Sequence, residues 1–259
     1  MLTPQQISGR LQALADVKAG RARMREIRPL RGVRGVPAAA LARLLAELWT
    51  ASPVSLPKDA EALHTLFMSA FEDGLVAIGL VAAALPDSPG AALELALRWV
   101  AVIDDHESAD ALGWLVIGPA LLARGVWLPE GLTPLLRDNH AAARRAGVMA
   151  LMAALPEPLV GPAAAGLRAR LGLKQLLFVD APRSAPISAA LALVIRDEDP
   201  HVRRAIGRVL RTWGQSDPDA AERFVASIKG GVSRWMRDEA EQGVRRGRRR
   251  ESAAEPQAD

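Results

Sequence analysis

The sequence predicts an all-α protein whose helices stack into a solenoid, and three observations carry that expectation. Half of the 259 residues are apolar, led by Ala and Leu, while Tyr is absent and Phe occurs four times; this composition favours helices over strands. No stretch sustains the period-two alternation of a half-buried strand, and nearly every segment has helical length and periodicity, with Pro and Gly at the joints. Two segments also resemble each other, LRDNHAAARRAGVMAL (136–151) and IRDEDPHVRRAIGRVL (195–210), each with an Arg-Asp pair, a short polar break, Arg-Arg-Ala and an apolar continuation. Such recurrence suggests degenerate HEAT-like repeats, in which neighbouring helices bury each other's apolar faces.

In chain order the expected helices are 4–18, 37–50, 58–70, 72–85, 90–100, 106–123, 129–137, 140–154, 157–171, 187–196, 200–213, 218–228 and 232–242. Segment 106–123 begins in acid and continues through ALGWLVIGPALLA (111–123), the longest strongly apolar run. Its 13 residues include Pro119 and fall short of the ~20 needed to span a bilayer. Segment 140–154 is mostly Ala, Met, Leu and Val, so Arg144 and Arg145 stand out in it. On 200–213, a helical projection gathers Val202, Ile206, Val209, Leu210 and Trp213 on one side and Arg204, Arg208 and Arg211 on the other, aimed away from the core. Beyond residue 243 the sequence GVRRGRRRESAAEPQAD has no apolar stripe and is expected to be disordered. The division that follows is a helical domain over 1–242 and an Arg-rich tail over 243–259.

With no cysteine in the chain, a disulfide framework, a thiolate metal site and a cysteine nucleophile are excluded. The opening MLTPQQISGRLQAL has neither the charged nor the apolar region of an export signal, so a soluble, cytoplasmic protein is expected. The net charge is only +4, but residues 18–34 hold seven basic side chains against one acid, and RRGRRRES adds five arginines. Arginine-rich stretches suit phosphate contacts; the alternative is a solvated arm that keeps the protein soluble.

Against this basic background, WVAVIDDHESADALGW (99–114) concentrates Asp104, Asp105, Glu107 and Asp110 around His106. Capping accounts for Asp104, Asp105 and Glu107, whose negative charge suits a helix N-terminus. Asp110 lies a turn further in. His106, Asp110 and Trp114 follow at intervals of four, which places them on one face beside Gly113. No second cluster supplies metal ligands at recognisable spacing, and no Gly-x-Ser-x-Gly elbow is present for a serine hydrolase.

RGVRGVPAAALARLLAELW (31–49), the helix from Phe71 that opens with Glu72, IDDHESAD (103–110), ARRAGVMAL (143–151) and above all DPHVRRAIGRVLRTWGQSDPDAAERFV (199–225) resemble the DNA alkylation repair family, whose best-known members are HEAT-like-repeat alkylpurine DNA glycosylases. The similar blocks extend from about residue 5 to 228. The resemblance implies a basic concave groove that holds duplex DNA by its backbone, and hydrolysis of the N-glycosidic bond of cationic N3- or N7-alkylated purines. The family's aspartate, in a Trp-x-x-x-Asp pattern, matches Asp110, implied to stabilise the cationic sugar and position water. Its groove arginine matches Arg145, implied to hold a phosphate. In two places the chain departs from the pattern: the family's tryptophan is His106, and the aromatic after Ile-Gly is Arg208.

On these readings Asp110 is the catalytic carboxylate, and His106, Arg144, Arg145, Arg204, Arg208 and Arg211 contact DNA. No metal or other cofactor is expected. The expected partner is alkylated duplex DNA, met by a monomer that is nucleoid-associated when bound, with no membrane. A non-catalytic DNA-binding member of the family and a HEAT-type protein-interaction scaffold are the alternatives, since fold does not imply function.

Overall fold

The computed structural model describes residues 2–27, 29–51, 53–155, 184–228 and 232–254. The fold is all-helical and α-solenoid-like, with no strand among the described residues beyond an isolated bridge between Gly32 and Ala70. Helix α1 (Pro4–Ala13) opens on a reciprocal cap, in which the Thr3 side chain accepts from the Gln6 amide and the Gln6 side chain accepts from that of Thr3. The helix expected over 4–18 stops early, because Asp16 starts a new one: its carboxylate accepts from the Ala19 amide at 2.9 Å, and α2 runs Val17–Ile27. Gly35, at φ +82°, returns the chain against Gly20 and Asp16, a conformation and an approach that a side chain would forbid.

Helices α3 (Ala38–Ala51), α4 (Ala60–Ser69), α5 (Phe71–Ala83) and α6 (Pro89–Val100) lie close to their expected bounds. α5 is buried along almost its whole length. Trp99 of α6 stacks on Phe67 of α4 with centroids 4.3 Å apart. The expected helix 106–123 divides into α7 (His106–Ala111), a π-helical stretch over Leu112–Ile117, and α8 (Gly118–Ala123). Gly113 and Gly118 are why this stretch fits here: a Cβ at either would collide with the carbonyl oxygen of Ala146 or Ala150, so the backbones meet directly. Trp114, expected on one face with His106 and Asp110, is buried in the core.

Helices α9 (Leu128–Leu136) and α10 (Ala141–Ala150), the latter continued by a 3₁₀ turn over Leu151–Ala154, match expectation. The expected helix 157–171 lies outside the described residues. α11 (Ser184–Val194), α12 (Pro200–Ser216) and α13 (Pro218–Ser227) follow. Asp199 caps α12, its carboxylate accepting from the His201 and Val202 amides.

The disorder expected beyond residue 243 is corrected over 243–254. Helix α14 runs Arg234–Ala254 without a break, so residues 243–254 are helical, not a disordered tail. An apolar stripe was the wrong criterion: Gly243 and Gly247 sit against the backbone of Arg211 and of Gly214–Gln215. At that distance α14 packs by backbone contact, with Met236, Ala240 and Val244 buried beside it. Among the described residues no helix is long and apolar enough to cross a membrane.

Candidate nucleic-acid interface and active site

The acidic stretch divides between two tasks. Its first half clamps the basic N-terminal segment: Asp104 accepts from the Leu30 amide, Glu107 pairs with Arg23, and Asp105 takes Arg31 at 2.8 Å. Asp105 also caps α7 through the Ser108 amide at 2.6 Å, and Arg31 lies over the Phe67 ring while donating to the Phe67 carbonyl and the Ser108 hydroxyl. The capping expectation therefore holds for Asp105, whereas Asp104 bonds a distant loop. Burial pushes the Glu107 carboxyl up, against the pull of Arg23. A parallel clamp lies on α5, where the Glu72 carboxylate accepts from the amides of Arg34, Gly35 and Val36 and Asp73 takes the Arg34 guanidinium at 2.6 Å. Arg23, Arg31 and Arg34 are thus ion-paired within the protein rather than extended as an arm.

The second half, one turn on, is partly exposed. Asp110 accepts a two-pronged contact from Arg145, Nε to Oδ1 at 2.6 Å and Nη2 to Oδ2 at 2.7 Å. Arg208 adds its Nη1 to the same Oδ2 at 2.8 Å. The Asp110 side chain is 15 % exposed and that of Arg208 55 %, while Arg145 is only 3 % exposed. Arg145 also donates to the carbonyls of His106, at 3.2 Å, and His201. Expected to reach a phosphate, it instead holds α7 and the start of α12 together by one planar fork. Two guanidinium groups on one carboxylate leave the cluster with a surplus positive charge.

His106 stacks on His201, centroids 5.3 Å apart. Burial holds the His106 imidazole below its ordinary range, and Arg145 reinforces this against the opposing pull of Asp110; His106 is therefore a neutral, flat surface at neutral pH. His201 is a site residue that the sequence pattern did not reveal, because its carbonyl and its ring matter only once α7 and α12 are adjacent.

The remaining arginines separate. Arg204 is exposed on α12, with no acidic partner among the described residues. Arg211 is half-covered, donating to Glu239 at 2.6 Å and Gln242 at 3.1 Å on α14; that helix covers part of the arginine face expected to be open. Arg144 is engaged inside the fold, by two prongs to Asp197 at 2.5 and 3.2 Å and to the carbonyls of Asp138 and Asn139. It ties the first of the two similar segments to the turn of the second. Its guanidinium accordingly stays above the ordinary arginine range, chiefly through the bond to Asp197. Among the described residues no group of three or more His, Asp or Glu side chains is arranged to hold a metal ion.

Residues 7–242 match the family model of the DNA alkylation repair enzymes. A solved structure, described as a predicted DNA alkylation repair enzyme from Enterococcus faecalis, superposes with a TM-score of 0.64 at 16 % identity, over 88 % of this chain and 95 % of that one. At that identity the likeness speaks for the fold. No curated protein matches the sequence.

Proposed function

The chain belongs to the DNA alkylation repair enzyme family, and from that membership we propose that it binds duplex DNA along the face of Arg204 and Arg208 and releases cationic N3- or N7-alkylated purines, with Asp110 as the essential carboxylate. The observation that supports this most is the Asp110 cluster: a partly exposed carboxylate fixed by a buried arginine and paired with an exposed one.

The chemistry asks little of the protein beyond that. An alkylpurine that already carries a positive charge takes the C1′–N bonding pair and departs as a neutral base, so no general acid is needed. Positive charge builds on the sugar as the bond lengthens, and a fixed carboxylate gains Coulomb energy only then, which is stabilisation specific to the transition state. Water adds to C1′ and its proton passes to Asp110 or to solvent. Arg145 keeps Asp110 in place throughout. Arg208 has another destination, since a backbone phosphate beside the lesion competes with Asp110 for its guanidinium; on DNA binding Oδ2 loses a cation as the substrate brings one. His106, kept neutral by burial and stacked on His201, offers a flat surface where the family has an aromatic.

The test is release of N7-methylguanine and N3-methyladenine from methylated duplex DNA. Wild type should release base, and Asp110→Asn should lose at least about a hundredfold in rate, the scale of removing one electrostatic stabiliser, with duplex affinity largely kept. Equal rates in both proteins would refute the mechanism. A non-catalytic duplex-binding role has one observation in its favour, that His106 and Arg208 stand where the family has aromatics; retained binding with no release from either protein would select it.

A further inference from the structure

We propose that helix α14 extends the DNA-binding surface beyond the family-matched region, and that one edge of it, carrying Trp235, Arg246 and Arg249, grips the phosphate backbone to one side of the Asp110 cluster. The inference rests on the reading that the chain binds duplex DNA.

The packing of α14 fixes which edge this is. At about 100° per residue, Trp235, Gln242, Arg246 and Arg249 fall within about 60° of one another, beside the buried face of Met236, Ala240, Gly243 and Val244. Gln242 accepts from Arg211, so this edge borders the row of Arg204, Arg208 and Arg211 on α12. The opposite edge is neutralised, because Arg248 pairs with Asp219 and Glu222 of α13. Contacts from Gly207 to Trp235 and Glu239, from Arg211 to Gly243, and from Gly214 and Pro218 to Gly247 show that the two helices run in the same direction. Trp235 therefore sits level with Gly207, between Arg204 and Arg208, and Arg246 and Arg249 lie beyond the level of Arg211.

Two features mark the edge as a binding surface. Trp235 is 43 % exposed although its ring is seated on Gly207, where any Cβ would collide with it; a large apolar ring is thus held partly in the open against α12. Further on, five arginines lie between 245 and 250 with no acid until Glu251. Arg245 and Arg248 are paired on the helix surface, whereas Arg246, Arg249 and Arg250 have no acidic partner among the described residues. Unpaired like charges on a rigid helix repel unless an anion lies along them. From Trp235 to Arg249 is about 21 Å along the helix, the length of about six base pairs of duplex. Charge and spacing fit a DNA backbone already engaged by Arg204 and Arg208.

The test is equilibrium binding of the full chain to unmodified labelled duplexes of about 10 and about 20 base pairs across a salt series, for wild type, the double variant Arg246→Gln/Arg249→Gln and, separately, Arg204→Gln. Wild type should bind the longer duplex more tightly than end effects explain. The double variant should forfeit that advantage, bind the long duplex about tenfold more weakly near 0.1 M salt, and show a log–log salt slope shallower by about two, at about 0.9 for each phosphate no longer neutralised, with an unchanged helical circular dichroism spectrum. Unchanged slope and length dependence in the double variant, with binding weakened by Arg204→Gln, would overturn the inference and leave the DNA reading intact. Loss of binding to anionic lipid vesicles but not to duplex in the double variant would overturn it in favour of a membrane role for the helix. Failure of wild type to bind duplex of either length would sink the DNA reading and this inference together.

Discussion

Asp105 and Asp110 lie five residues apart, each held by arginine, and the two sites differ in closure. Asp105 is fully enclosed, with one guanidinium and one helix amide as its partners, and Arg31 is itself covered by Phe67. Asp110 has two guanidinium groups and a side open to water. The first site is balanced in charge and complete in hydrogen bonds, so it has nothing to offer a ligand. The second carries excess positive charge at a surface where one cation is more than half exposed. Identity of residue types does not separate a structural ion pair from a candidate reactive one; stoichiometry and exposure do.

The largest expected effect breaks the closed site. Asp105→Ala leaves the Arg31 guanidinium without its carboxylate and α7 without its cap, and should cost about 4 kcal/mol of stability, read from urea unfolding. Asp110→Asn should cost no more than about half of that, because Arg145 keeps two carbonyl acceptors and the amide oxygen keeps one prong. Equal losses in the two variants would erase the distinction between a structural and a functional pair.

A smaller effect sharpens the contrast within the open site. Arg208→Gln removes an ion pair whose arginine is more than half exposed, so unfolding stability should change by less than about 1 kcal/mol, while duplex affinity falls and its salt slope becomes shallower by about one. A large loss of stability would mean that Arg208 is a structural partner of Asp110 rather than a mobile one.

The smallest effect concerns His106. Burial and Arg145 hold its folded pKa below the ordinary histidine value, so the unfolded chain binds more protons in the interval just below about pH 6.5, and stability there should fall as pH falls. The decline should level off once pH is below the folded value, and His106→Gln should flatten that interval. Persistence of the same slope in the variant would assign it to other groups.

Much of this was legible in the sequence, because helical periodicity and proline and glycine joints are local. The all-helical fold, most helix bounds, the Asp105 cap and the buried side of 200–213 all follow from such patterns. What failed was non-local. Asp16 begins a helix inside an arginine-rich run whose weak apolar content hid it. The π-helical stretch depends on Gly113 and Gly118 meeting α10. The tail looked disordered because Gly243 and Gly247 replace an apolar stripe by backbone contact. At the site, Asp110 and Arg145 were found through the family's pattern, but that they bind each other, and that Arg144 belongs to the turn at Asp197, could be learned only from the folded chain. His201 gave no local signal.

The clamp between residues 23–34 and 104–107 also sets an order of events during synthesis. Arg31 waits for Asp105, 74 residues downstream. At about 5–20 residues per second, that is roughly 4–15 s during which Arg31 is without its carboxylate. The N-terminal helices can form early, but they are docked against α7 only after it has emerged, so the first part of the chain to be made is among the later parts to be secured.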